Sequence, residues 1–228
     1  MARIRSRRYR NGIGKIDRSK TYGPSEAISL LKSFPAPKFE ESVEIVVRLG
    51  IDPKKTEQLV RGSVSLPKGT GKTVRIAVFA EGEKAKEALD AGADVVGSGD
   101  LADRIEKGFT EFDMTIASPD MMKYVGKLGR ILGPQGKMPS PKAGTVTPNV
   151  GAAVREFKAG KIEFRTDAGA NVHVAIGRRS FSVPDLEANL RAFVDHLKAL
   201  RPPQAKGTFI KKVCVSTTMG PGVVVQVD

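Results

Sequence analysis

The 228-residue chain has no tryptophan, one cysteine and two histidines. The lone Cys214 excludes an intrachain disulfide and any multi-cysteine metal site. Its place between Val213 and Val215 reads as a strand position rather than a nucleophile. His173 and His196 leave little imidazole for acid–base chemistry, so carboxylates and lysines would have to carry any catalysis. No continuous apolar run of about 18 residues, the length needed to span a bilayer, is present. The first ten residues, Met1 to Arg10, are basic but lead into no apolar stretch, so they do not read as a signal peptide. They fit either a solvated basic tail or an arm laid on phosphates. Acidic residues are the scarce charge: 25 Asp and Glu face 38 Lys and Arg, for a net charge of +13. Such an excess favours a polyanionic partner, because each neutralised phosphate releases counterions. The remaining composition is ordinary for a globular protein and long enough for one large or two modest domains. Together these features read as cytoplasmic and nucleic-acid-bound, with no membrane partner.

Apolar periodicity organises the chain. Ser25 to Phe34 is predicted as a short amphipathic helix, opened by Pro24 and stopped by Pro35. Val43, Ile45, Val47 and Leu49 then alternate with polar residues as a half-buried strand. From Val74 to Ala80 the run is nearly continuously apolar, as expected for a strand covered on both faces. Helical and strand patterns alternate from there to Lys158, which predicts parallel βαβ units. After Gly160 the alternation returns, around Ile162 to Thr166 and Val172 to Ile176, joined by a hairpin-like Asp167-Ala168-Gly169-Ala170. The strongest helical pattern, Leu186 to Leu197, has a capping box in Ser182 and Asp185 and ends at Pro202-Pro203. Val213 to Thr217 is a last strand.

The expected architecture is therefore α/β (α+β) in two domains. Residues 1–67 and 159–228 would form a discontinuous two-layer domain, with a four-stranded, mainly antiparallel sheet and two helices. Residues 68–158 would form an inserted parallel α/β domain. The two crossings, near Leu66 to Gly69 and at Ala159-Gly160, would make a natural hinge.

Three glycine patterns resemble chemical motifs. Gly69-Thr70-Gly71-Lys72-Thr73 resembles the end of a phosphate-binding loop, but Leu66 stands where the first glycine belongs and a strand follows instead of a helix. Gly97-Ser98-Gly99-Asp100-Leu101-Ala102 is a short match to a dinucleotide turn. Gly126-Lys127-Leu128-Gly129 resembles an RNA-backbone clamp, although the surrounding element order is not that of a KH module. Phosphate contact by that loop, Gln135, Lys137 and Lys142 stays open. For direct RNA contact, Lys38-Phe39-Glu40 places an aromatic between charges just before a strand. Phe39 can stack on a base or sugar, or it can plug the edge of the core. The second candidate is the run from Ser216 to Gly222, whose hydroxyls suit 2′-hydroxyl groups and whose glycines admit close backbone approach.

Several segments together, in order, carry a family resemblance: Gly50 to Lys55, Arg61 to Val64, Leu66 to Lys72, Leu128 to Pro134, Lys142 to Thr147 and Thr218 to Gly222. They closely resemble the bacterial large-subunit ribosomal protein one (L-one) family, the stalk proteins beside the tRNA exit site. The departures are Leu59, Lys68, Gln135, Lys137 and Ser140, which lie in or beside the inserted domain. The resemblance implies a Rossmann-like inserted domain with no cofactor and no enzymatic activity. It also implies a non-catalytic RNA surface on Lys38, Phe39, Glu40, Ser42, Arg165, Thr217, Thr218, Met219 and Gly220. The implied partners are large-subunit rRNA, exit-site tRNA and the protein's own operon mRNA, whose translation it would repress; away from the ribosome it would be a monomer. A nucleotide-dependent enzyme and a general RNA chaperone are the competing readings.

Overall fold

A computed structural model describes residues 5–227. In chain order, helices α1 (Arg7–Ile13) and α2 (Pro24–Lys32) precede strands β1 (Ser42–Leu49), β2 (Arg61–Ser65) and β3 (Ile76–Phe79). Then come α3 (Glu83–Asp90), β4 (Val95–Gly97), α4 (Gly99–Glu106), β5 (Met114–Ala117), α5 (Met122–Val125), α6 (Gly129–Leu132) and α7 (Val150–Lys158). The chain closes with β6 (Lys161–Arg165), β7 (Asn171–Arg178), α8 (Val183–Ala199), β8 (Ile210–Thr217) and β9 (Val223–Val225). The described residues fall into two compact units, one within Met1–Gly71 and Phe164–Asp228, the other Lys72–Glu163.

The first unit is a four-stranded antiparallel sheet in the order β7-β1-β8-β9. Alternation decides which face is dry: Val43, Ile45, Val47 and Leu49 of β1 are buried, while Glu44, Val46 and Arg48 are not. Helices α2 and α8 cover the dry face and touch each other. They contribute Ile28 and Leu31 from α2 and Leu186, Leu190, Phe193 and Leu197 from α8, all essentially inaccessible. Helix α8 starts where its capping chemistry dictates: Ser182 Oγ accepts from Asp185 N at 3.2 Å and donates to Asp185 Oδ2 at 2.6 Å.

One sequence expectation requires correction. The fourth strand is β9, not the segment around Ile162 to Thr166. That segment meets β7 only through a bridge between Thr166 and Val172, and Thr166 N donates to Val60 O at 3.0 Å. Three apolar residues, Val223 to Val225, are too few for a period to show, so β9 was invisible to patterning.

The second unit is a parallel sheet in the order β4-β3-β5. All four residues of β3 are buried, because helices pack on both faces. Ala77 and Phe79 face a cluster with Leu101, Ile105, Val125, Leu128 and Leu132; Ile76 and Val78 face Ala88, Val150, Val154 and Phe157. The helical stretch over Met121 to Leu132 is broken into short segments, α5 and α6 joined by a 3-10 turn over Gly126–Leu128. Gly126 and Gly129, three residues apart, weaken helix propagation there.

Candidate nucleic-acid interface

Two stretches far apart in sequence meet at one edge of the first unit. Ser42 opens β1, and Thr218 follows the last residue of β8. Ser42 N donates to Thr218 Oγ1 at 3.0 Å, and Thr218 N donates to Ser42 O at 3.1 Å. These bonds pin the segment carrying Lys38, Phe39 and Glu40 to the turn carrying Met219 and Gly220. Under both lies a buried clasp. Glu41 is 2% exposed, and its Oε2 accepts from Arg179 Nη1 at 2.6 Å while Oε1 accepts from Met219 N at 3.0 Å. The other terminal nitrogen of Arg179 donates to the carbonyls of Lys32, the last residue of α2, and of Phe34 just beyond it. One guanidinium therefore ties α2, β1, β7 and the β8–β9 turn together, and its planar fork suits that task.

On this rigid base, two large apolar side chains stay in water: Phe39 is 53% exposed and Met219 49%. Lys38 is also exposed, and Glu40 accepts from Ser180 Oγ. Ser42 Oγ accepts from Arg178 Nη1 at 3.1 Å, which places a guanidinium beside the pair. The arrangement offers a stacking surface, cations and hydroxyl groups within one edge, held by bonds that leave little to reorganise.

Thr217 belongs to the same turn but points inward. It is 3% exposed, and its Oγ1 has no hydrogen-bond partner among the described residues. Gly220 is the reason that hydroxyl fits: a Cβ on residue 220 would lie 2.3 Å from Thr217 Oγ1. Arg165 is not placed beside Ser42 and Thr218. Its neighbour Thr166 bridges Val172, which pairs with Val47, five residues along β1 from Ser42, and Arg165 is exposed there. His173, on β7, is exposed and contacts Asp167 at 3.3 Å.

Sequence patterning missed Glu41, Arg178 and Arg179. Glu41 left a signal, since it holds the inward phase of Val43, Ile45 and Val47, and a charge in that phase needs a buried partner. The two arginines left none, because only the β1–β7 register places Arg178 opposite Ser42.

The glycine patterns take structural roles. Gly69 and Gly71 both have positive φ, and a Cβ on Gly71 would come within 2.8 Å of the Phe181 ring. Before α4, Asp100 Oδ1 accepts from Ser98 N at 2.8 Å, and that backbone bond holds its carboxyl below the usual range. A carboxylate thus occupies the donor that a pyrophosphate would need. Lys137, beside the Gly126–Gly129 loop, donates to Thr110 O at 3.0 Å and lies over the Phe112 ring.

A family model described as the ribosomal protein L1p/L10e family matches residues 31–221. The chain belongs to that family. Proteins named large ribosomal subunit protein uL1 are similar over nearly the whole length. The one from Bordetella pertussis is 56% identical over 93% of this chain and 92% of its own. That from Nitrosomonas europaea is 55% identical over 96% and 95%, and that from Bifidobacterium animalis subsp. lactis 52% over 97% and 96%. Members of the L1p/L10e family are ribosomal structural proteins rather than enzymes, and this chain is accordingly not an enzyme. Every residue of the edge described above falls inside the stretch matched by the family model.

Proposed function

We propose that the chain is a constituent of the large ribosomal subunit that grips the stalk region of large-subunit rRNA through the Phe39–Met219 edge. One observation carries the reading: Phe39 and Met219, far apart in sequence, stay exposed on segments that the Ser42–Thr218 bonds and a buried Glu41–Arg179 clasp join at one edge, with Lys38 exposed beside Phe39. Apolar side chains held exposed on one edge beside cations and hydroxyl groups suit a surface that another molecule covers. In this reading Phe39 stacks on a base or ribose, Lys38 meets phosphate, and the Ser42 and Thr218 hydroxyl groups meet ribose hydroxyls. Thr217 and Gly220 shape the turn that presents Met219. Arg165 contacts a separate part of the RNA along the sheet.

The same reading makes residues 68–158 an inserted domain carried on the RNA-bound one, assisting release of deacylated tRNA from the exit site. It also includes repression of the protein's own operon mRNA through the same edge, since one rigid surface can bind two RNAs of like shape. The test is salt-titrated binding to the rRNA stalk fragment and to an unrelated structured RNA, with wild type, Phe39→Ala and Thr218→Ala. Selective binding is expected, with each substitution costing on the order of 1–3 kcal/mol. Equal binding to both RNAs, unaffected by either substitution, would leave only a basic RNA-coating protein.

A further inference from the structure

We infer that the basic N-terminal segment is a docked, phosphate-contacting flank of this RNA edge; the inference rests on the RNA-binding reading above. Arg5, Arg7, Arg8 and Arg10 lie on or just before α1, and none of them pairs with a carboxylate among the described residues. Lys15, Arg18 and Lys20 continue the charge. Asp17 is the only acid between positions 5 and 20, and its carboxylate is engaged by Ser19. So strong an imbalance is costly to concentrate on one surface without a counter-charge.

A solvated tail would make no contacts, whereas this segment is fastened at three points. Gly12 is buried, and a Cβ there would lie 3.1 Å from the Pro221 ring and 3.6 Å from that of Phe34. Helix α1 therefore sits flush against the residue that follows Gly220. Lys15 Nζ donates to Ser33 O at 2.8 Å, beyond the end of α2. Tyr22 extends the sheet beside β9: Tyr22 N donates to Val224 O at 3.0 Å, and Gln226 N donates to Tyr22 O at 2.9 Å. Docking of this kind fixes the arginines next to the turn that presents Met219. A ribose–phosphate strand leaving Phe39 and Met219 would run onto them. Guanidinium groups suit that contact because their paired N–H groups match phosphate oxygens.

The experiment uses the full chain and measures affinity for the rRNA stalk fragment as salt is raised. The arm variant carries Arg7→Gln, Arg8→Gln and Arg10→Gln together. A charge-matched control carries Lys86→Gln, Lys107→Gln and Arg155→Gln, all exposed in the second unit. Each lost phosphate contact lowers the salt slope by about 0.7–0.9, so the arm variant should flatten it by about 2–3 and weaken low-salt binding on the order of 10- to 100-fold. The triple Arg→Lys variant at the same positions should keep the slope, and the control triple should shift it by less than about 1. An arm variant with the wild-type slope, or a control that flattens it equally, overturns the inference. Phe39→Ala is read alongside: a weaker affinity at unchanged slope leaves the RNA-binding reading standing even if the arm fails. A wild type that does not prefer the stalk fragment removes that reading, and the inference with it.

Discussion

At the scale of single residues, the decisive groups are those that hold others in place. Glu41 occupies an inward position where an aliphatic side chain would suit the dry face, and it is retained with two partners, Arg179 and the amide of Met219. Removing one partner of a buried pair strands the other charge, so Glu41→Gln should lower stability by roughly 3 kcal/mol. Chemical denaturation measures this. The variant should also lose selectivity for the stalk RNA, because the β8–β9 turn loses its anchor. A variant that is destabilised yet binds RNA as wild type does would separate the clasp from the surface. Thr217 gives the opposite sign. Its buried hydroxyl lacks a partner among the described residues, so Thr217→Val should stabilise the free protein by about 1 kcal/mol, read as a higher denaturation midpoint.

At the scale of elements, two local devices hold β7 and α8 in register. In the hairpin before β7, Asp167 Oδ1 accepts from Asn171 N at 2.7 Å and from Gly169 N at 2.8 Å, beside Ala170 in a left-handed conformation. The Asn171 amide above all, with the Asn171 side chain and His173, lowers the Asp167 carboxyl from 3.8 to about 2. A carboxylate depressed by folding stabilises the fold fully above pH ~4 and loses that contribution as pH falls towards ~2. Melting temperatures of wild type should therefore fall more steeply across that window than those of Asp167→Asn, and parallel slopes would disprove the coupling. Helix α8 depends on its cap, and Ser182→Ala should cost about 1 kcal/mol in equilibrium unfolding. Asn189, fully buried on α8, secures the chain near the end of the first unit's leading segment. Its Oδ1 accepts from Lys68 N at 3.0 Å, and its Nδ2 donates to Gly69 O at 2.9 Å and Ile176 O at 2.7 Å.

At the scale of the molecule, two cores exist where a chain of this length might have built one. The second unit's core centres on β3 with α7 behind it, and the first unit's on β1 with α2 and α8. Phe157→Ala, which empties a buried site in the second unit, should cost about 3–5 kcal/mol there. Hydrogen exchange read by mass spectrometry should then show lost protection in β3 and α7, with β1 and β8 unchanged. Equal loss in both units would mean that they unfold as one. The excess of positive charge acts at this scale too, because it speeds encounter with any polyanion.

Much of this was legible in the amino-acid sequence alone. Period-2 alternation in β1 and β7, the continuous apolar run of β3 and the capped 3.6-residue period of α8 are local patterns, and each states its own burial. The charge excess pointed to a polyanion, and Phe39 and the Thr218–Gly220 run stood out by chemistry and family resemblance. Only the tertiary structure decided that β9 rather than β6 completes the sheet, that Glu41 meets Arg179, and that the basic start of the chain is fastened beside Pro221. Those facts depend on which distant segments become neighbours. A three-residue strand, an ion pair spanning 138 positions and a buried glycine leave no periodic trace, because nothing local in the chain requires them.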